Sequence, residues 1–157
     1  MLQAQQIAPA FTTLNQHGDN VSLADYKGTK NVVLYFYPKD DTPGCTIEAN
    51  EFTALASDFS KADTVILGVS KDDCGSHRAF IDKYNLNIDL LADTDGTLSE
   101  AYGVWQLKEK NGVSKKGIVR STFVINKAGI LEDALYNVVP EGHAQMMLAR
   151  VEALQND

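Results

Sequence analysis

Hydrophobic residues in this chain come in short blocks separated by polar turns, and the period within each block separates strands from helices. Asn31 to Tyr37 is a near-continuous run of Val, Leu, Tyr and Phe that reads as a strand covered on both faces and ended by Pro38. Thr64 to Val69 repeats the pattern, and Asp89 to Ala92 is a third, shorter strand. Between these runs the period changes. Phe52, Leu55, Ala56 and Phe59 recur at helical spacing, as do Phe80, Ile81 and Tyr84 within Gly75 to Tyr84, and Thr97 to Tyr102 reads as a short helix. Phe11 to Asn15 and Val21-Ser22 flank a polar turn and predict a hairpin. Ser121 to Ile125 and Leu131 to Val138 predict another across Asn126-Lys127-Ala128-Gly129. Trp105 to Leu107 has strand character, Lys110 to Gly117 reads as a loop, and Ala144 to Leu154 is a helix with Met147, Leu148, Val151 and Leu154 inward.

The order β-β-β-α-β-α-β-α-β-β-α predicts an α/β fold, a mixed central β-sheet flanked by helices on both faces. The 157 residues carry no repeat and no linker, so residues 1-157 are expected to form a single domain with one proper core.

Composition narrows the function classes. A net charge of -7 argues against nucleic acid and anionic membrane as partners, because both reward basic patches. The longest apolar run, Val32 to Tyr37, is far too short to cross a bilayer. Met1 to Gln6 has neither a basic start nor an apolar stretch, so no secretion signal is expected. Only Cys45 and Cys74 are present, which excludes a disulfide framework and fits a cytoplasmic location. No long apolar face is legible, so a monomer is expected, with a weak dimer left open.

The candidate chemistry centres on Cys45. In Tyr37-Pro38-Lys39-Asp40-Asp41-Thr42-Pro43-Gly44-Cys45-Thr46-Ile47-Glu48, the predicted strand runs directly into a predicted helix. Thr42 suits the N-cap and Pro43 the first helical position, which puts Cys45 at about the third. A thiol placed there meets unpaired backbone N–H groups and the positive end of the helix dipole, and both favour thiolate. The alternative, a small buried hydrophobe, is the commonest fate of a free cysteine, but a Thr-Pro-Gly turn opening a helix is expected to be an exposed, electropositive setting.

Pro38-x-x-x-Thr42-x-x-Cys45 resembles the peroxidatic motif of peroxiredoxins, and the string Tyr35 to Glu48 is similar to the bacterioferritin-comigratory (peroxiredoxin Q) subgroup. Ala8-Pro9-Ala10-Phe11, Gly68-Val69-Ser70-Lys71-Asp72 and Arg120-Ser121-Thr122-Phe123-Val124-Ile125 extend the resemblance over nearly the whole chain. It implies a thioredoxin-like fold and reduction of hydrogen peroxide and organic hydroperoxides through a cysteine sulfenic acid. It also implies regeneration by a thioredoxin-, glutaredoxin- or glutathione-like thiol, with no metal or organic cofactor. Carried over by position, Cys45 is the peroxidatic cysteine, Thr42 and Arg120 hydrogen-bond the sulfur and the peroxide oxygens, and Pro38 shields the pocket. Many members of the subgroup have a second cysteine five residues after the first, where this chain has Asn50. Cys74 lies neither there nor at the later helical site other members use. It follows the strand Thr64 to Val69, whose end would share a sheet edge with Cys45, so a Cys45–Cys74 disulfide competes with a one-cysteine cycle and with an inert Cys74.

The chemistry sets its own demands. A thiol with pKa near 8.5 is only about 3% ionised at neutral pH, and lowering that value to ~6 requires ~3.4 kcal/mol of preferential stabilisation. A helix N-terminus supplies ~0.3–1 kcal/mol and at best ~2, so a further donor or cation is needed. Acidity alone gains little, because a weaker base is a weaker nucleophile, by roughly 13-fold for ~2.5 units. Rate must come from fixed donors aimed at the oxygens that gain charge as the O–O bond breaks. Arg120 suits that task, being permanently cationic with several N–H groups in a fixed fork.

Other features have plainer readings. Cys74-Gly75-Ser76-His77 has no second pair to complete a metal site, and His77 reads as a helix-surface residue. Glu48 reads as a first-turn carboxylate favoured by the dipole. The rivals to peroxidase activity are a thioredoxin-type disulfide oxidoreductase, disfavoured by Thr42 where C-x-x-C needs a cysteine, and a non-enzymatic redox sensor switched by oxidation of Cys45.

Overall fold

The computed structural model describes residues 1–155. In chain order the elements are β1 (Thr12–Leu14), β2 (Asn20–Ser22), β3 (Asn31–Phe36), α1 (Pro43–Ala54), α2 (Ala56–Lys61), β4 (Thr64–Ser70) and α3 (Cys74–Tyr84). They continue with β5 (Asp89–Ala92), α4 (Thr97–Ala101), β6 (Trp105–Lys110), β7 (Val113–Ile118), β8 (Ser121–Ile125), β9 (Leu131–Tyr136) and α5 (His143–Gln155). Seven strands make one mixed sheet in the order β2-β1-β5-β4-β3-β8-β9. The predicted mixed sheet with helices on both faces is the one that forms.

β3 lies inside the sheet, parallel to β4 on one side and antiparallel to β8 on the other. All six of its residues are buried, as its unbroken apolar run requires. Alternation along the strand sends Val33, Tyr35 and Tyr37 into one core and Val32, Leu34 and Phe36 into the other. The first core is roofed by α1, α2, α3 and α5 through Phe52, Phe59, Phe80 and Met147. The second is closed by Leu98 of α4, Tyr102, Leu23 and the base of β6 and β7.

Three local expectations are corrected. The helix after Cys45 breaks at Leu55 into α1 and α2, while Phe52 and Phe59 stay buried with ring centroids 5.8 Å apart. Lys110 to Gly117 is mostly strand rather than loop, because Trp105–Lys110 pairs with Val113–Ile118 as a two-stranded ribbon. Asn111 (φ 55°) and Gly112 (φ 77°) form the two-residue turn whose twist matches the strands. Charged and polar residues line most of this exposed ribbon, so it carries no sustained apolar alternation to reveal it. His77, finally, is fully buried, not on the helix surface.

Among the described residues no helix is long and apolar enough to cross a membrane.

Candidate active site

Two strand ends bring the site together. β3 and β8 pair with Phe36 opposite Ser121, so the residue before Ser121 lies at the carboxyl end of β3, where the chain turns into α1. That residue is Arg120. Its backbone carbonyl accepts from the Val138 amide at 2.8 Å, which ties the segment after β9 to the same end of the sheet.

Thr42 is the N-cap residue in extended conformation, Pro43 opens α1, and Cys45 occupies the third position, as the motif predicts. The Thr42 hydroxyl does not cap the helix, however. It donates to the Lys39 carbonyl at 2.8 Å and makes no hydrogen bond to Cys45. Its contribution in this conformation is to close the turn ahead of the helix. Pro38 is exposed, although the resemblance implies a shielding role. A second proline, Pro140, lies beside the start of α1, its Cγ 3.4 Å from where a Cβ on Gly44 would stand. No pattern in the sequence singled it out.

Cys45 is not in the exposed setting its turn suggested: it is 1% exposed and faces the first core, because Ala49, Phe52 and Tyr35 of β3 pack with it there. Nη2 of Arg120 donates to its Sγ at 3.4 Å, and Nη1 donates to Oε1 of Glu48 at 2.7 Å. The guanidinium thus bridges the sulfur and a carboxylate on the same helix face. Glu48 is fully buried, and its other oxygen, Oε2, has no hydrogen-bond partner. Burial pushes the Glu48 carboxyl up to about 7, although the charge and hydrogen bond of Arg120 pull the other way. Burial acts against the charge on Arg120, but Glu48 and Cys45 more than offset it, and its pKa stays above the ordinary value. Glu48 is therefore more than the dipole-favoured first-turn carboxylate its position suggested. The signal was present: three positions after Cys45 puts it on the same side of a helix.

Two aromatic residues and a histidine back this cluster. Tyr35 stacks on Phe52 at 4.7 Å, and its hydroxyl is buried without a partner. His143 is buried, with Nε2 2.8 Å from the Thr122 hydroxyl. Burial, and then the nearby charge of Arg120, lower its pKa to about 4.

Cys74 is the first residue of α3 and is half-buried; both cysteines are free thiols. Because β4 is parallel to β3, the chain leaves both strands at one edge, as expected.

A cysteine at a helix start has a guanidinium N–H on its sulfur, and comparison with known proteins shows the family of the chain. The family model described as AhpC/TSA matches residues 4–134. The chain belongs to the AhpC/TSA family. Within that family it is a peroxiredoxin similar to Bacillus subtilis peroxiredoxin Bcp, with 48% identity over 130 residues, 83% of this chain and 82% of that one. It is 44% identical over 124 residues to the Xanthomonas campestris peroxiredoxin Bcp, covering 78% of this chain and 76% of the other. A solved structure of the Xanthomonas campestris bacterioferritin comigratory protein superimposes with a TM-score of 0.90 at 36% identity, covering 97% of this chain and 99% of that one. The thioredoxin-like peroxiredoxin fold follows from that match.

Proposed function

We propose that this peroxiredoxin reduces hydrogen peroxide and organic hydroperoxides with Cys45 as nucleophile and Arg120 as the principal donor. The observation that carries this reading is the Arg120 Nη2–H on the Cys45 sulfur, fixed from behind by the Glu48 ion pair. The Xanthomonas protein it superimposes on is described by its alkyl peroxide reduction activity, which supports organic hydroperoxides as substrates here.

In the first step the Cys45 sulfur attacks one peroxide oxygen and the O–O bond breaks. The sulfur keeps that oxygen as a sulfenic acid, and the other leaves as water or alcohol after taking a proton. Negative charge grows on the departing oxygen, so a cation already aimed at the sulfur needs little reorganisation to stabilise it. Thr42 closes the turn that sets Cys45 in the first helical turn, and Pro38 ends the strand leading to it.

In the second step a thiol attacks the sulfenic sulfur, water leaves and a disulfide forms; a further thiol then reduces the disulfide. An external thiol of the thioredoxin, glutaredoxin or glutathione type fills this role. Cys74 is the second reading for the attacking thiol, favoured by its place at the edge of the sheet that Cys45 shares. Two free cysteines suit a reducing, cytoplasmic setting. The exposed large apolar residues, among them Ile7, Leu107 and Met146, are scattered over separate segments, which supports a monomer.

The test is peroxide consumption with excess thiol by wild type and Cys45→Ser. Catalytic turnover in the wild type and none in the variant is expected; equal consumption by both overturns the proposal.

A further inference from the structure

The turn between β3 and α1 is fastened to α3 by a buried polar cluster that the reaction itself does not use. Its centre is Asp40, buried and close to Cys45 in the chain. The Tyr37 hydroxyl donates to Oδ1 at 2.6 Å, the Ser76 hydroxyl donates to Oδ2 at 2.8 Å, and Nδ1 of His77 lies 2.7 Å from Oδ2. The His77 ring is fully buried, and its Nε2 donates to the Leu91 carbonyl at 2.9 Å, at the end of β5. The Asp40 amide adds a bond to Oδ2 of Asp72 at 2.8 Å. At the surface, Lys83 and Tyr84 of α3 both bind the carboxylate of Asp41, whose backbone is left-handed at φ 59°.

These contacts give the Asp40 turn a partner on the β4 side of the sheet, in the helical turn that Cys74 opens. Cys45 is only 1% exposed, so a bulky thiol needs local opening to reach its sulfur, a barrier that bears far less on a small peroxide. Opening the start of α1 toward solvent pulls on the Asp40 turn, and the Asp40–His77–Ser76 cluster resists that pull. Breaking it leaves buried partners unsatisfied, so it acts as a discrete latch rather than a soft tether.

We propose that the Asp40–His77 pair, reinforced by Ser76 and Tyr37, is a latch that sets how readily the oxidised Cys45 segment opens to a reducing thiol. Asp40 and His77 are positioning residues and do not touch the sulfur. The latch decides between two fates of the sulfenic acid. While the site is closed, a second peroxide molecule can transfer an oxygen to the sulfur, giving sulfinic acid and water or alcohol. Once it opens, a thiol attacks instead, giving a disulfide and water. A tighter latch favours over-oxidation, and a looser one favours recovery.

The proposal rests on Cys45 as the peroxide-reactive sulfur, and its test separates the two. Wild type, His77→Gln and the milder Ser76→Ala are compared by hydrogen exchange of the amides of residues 38–48, which needs no activity. The peroxide concentration that inactivates half the enzyme during turnover is measured alongside the rate constant of the first oxidation. In His77→Gln, exchange in this segment should accelerate about tenfold and the inactivating concentration should rise about tenfold, with a smaller change in both for Ser76→Ala. The first oxidation should slow by less than about twofold, because a closed state that dominates stays dominant. A merely structural role would instead raise exchange throughout the chain and lower every rate together. Unchanged exchange in residues 38–48 in both folded variants overturns the latch, as does unchanged susceptibility to over-oxidation. Local exchange that accelerates as expected, in a protein whose Cys45 ignores peroxide, upholds the latch and refutes the peroxidase reading alone.

Discussion

Gly44 leaves the space into which the Arg120 guanidinium reaches. A Cβ at position 44 would lie 3.0 Å from Nη2, the nitrogen that donates to Cys45, and 3.4 Å from Pro140. The backbone there is ordinary helix, so the glycine serves close approach rather than an unusual dihedral. The donor and Pro140 therefore meet at a residue with no side chain, next in the chain to Cys45.

Gly44→Ala should therefore act on catalysis without harming the fold. Alanine is the better helix former, so thermal stability should hold or rise slightly. The displaced guanidinium should slow the first oxidation by between about 10- and 100-fold, measured by stopped flow. A variant that oxidises at the wild-type rate would show that this donor geometry is not needed.

Glu48 should impose a pH dependence. With its carboxyl at about 7, it is ionised above that value and holds Nη1 of Arg120 as an ion pair; as pH falls through it, the carboxyl gains a proton and the pair is lost. The first oxidation should therefore slow on the acid side of neutrality. Glu48→Gln keeps an acceptor for Nη1 but cannot titrate, so its profile should lose that inflection. An identical inflection in the variant would assign it to another group.

Stability should show two opposed linkages. His143, lowered to about 4 from 6.5, stays neutral in the folded protein while the unfolded chain takes up a proton, so its contribution is lost as pH falls from 6.5 toward 4. Glu48, raised from 4.5 to about 7, holds its proton longer in the folded state, so its contribution is lost as pH rises from 4.5 toward 7. Over the shared range the two act against each other. In His143→Gln only the Glu48 trend remains, so the variant should resist urea better at about pH 5 than at about pH 7, relative to wild type. The opposite change relative to wild type would contradict the burial of a neutral His143.

Packing behind the site makes a further prediction. A Cβ on Gly68 would meet Tyr35 Oη and Cζ at 2.9 Å and Leu90 Cδ2 at 2.8 Å, all within the sheet core. Gly68→Ala should cost about 1–3 kcal/mol by urea denaturation. Tyr35→Phe removes a buried hydroxyl without a partner and should leave stability unchanged or slightly improved. Tolerance of Gly68→Ala would mean the Tyr35 ring moves freely.

The sequence carried the sheet because β3 and β4 are buried on both faces and have to be continuously apolar. It also carried the position of Cys45, because a Thr-Pro pair after a strand marks a helix start. Beyond Trp105 to Leu107 the β6–β7 ribbon was hidden by its exposure, since the part with no face to bury needs no alternation. The Glu48 pair with Arg120 joins residues far apart in the chain, and only pairing of β8 with β3 brings them together. His77 shares the inward spacing of Phe80 and Tyr84, a signal that its polarity masked. The Thr42 hydroxyl turns back to the Lys39 carbonyl, a side-chain orientation that local sequence does not decide.

The central claim concerns which atom meets the oxidant. Reduced protein given one equivalent of hydrogen peroxide without added thiol, then digested and weighed by mass spectrometry, answers it directly. An added oxygen on the peptide bearing Cys45, or a disulfide formed through Cys45, is the predicted result. Oxidation confined to Cys74 or the methionines, with Cys45 still a free thiol, would contradict the account.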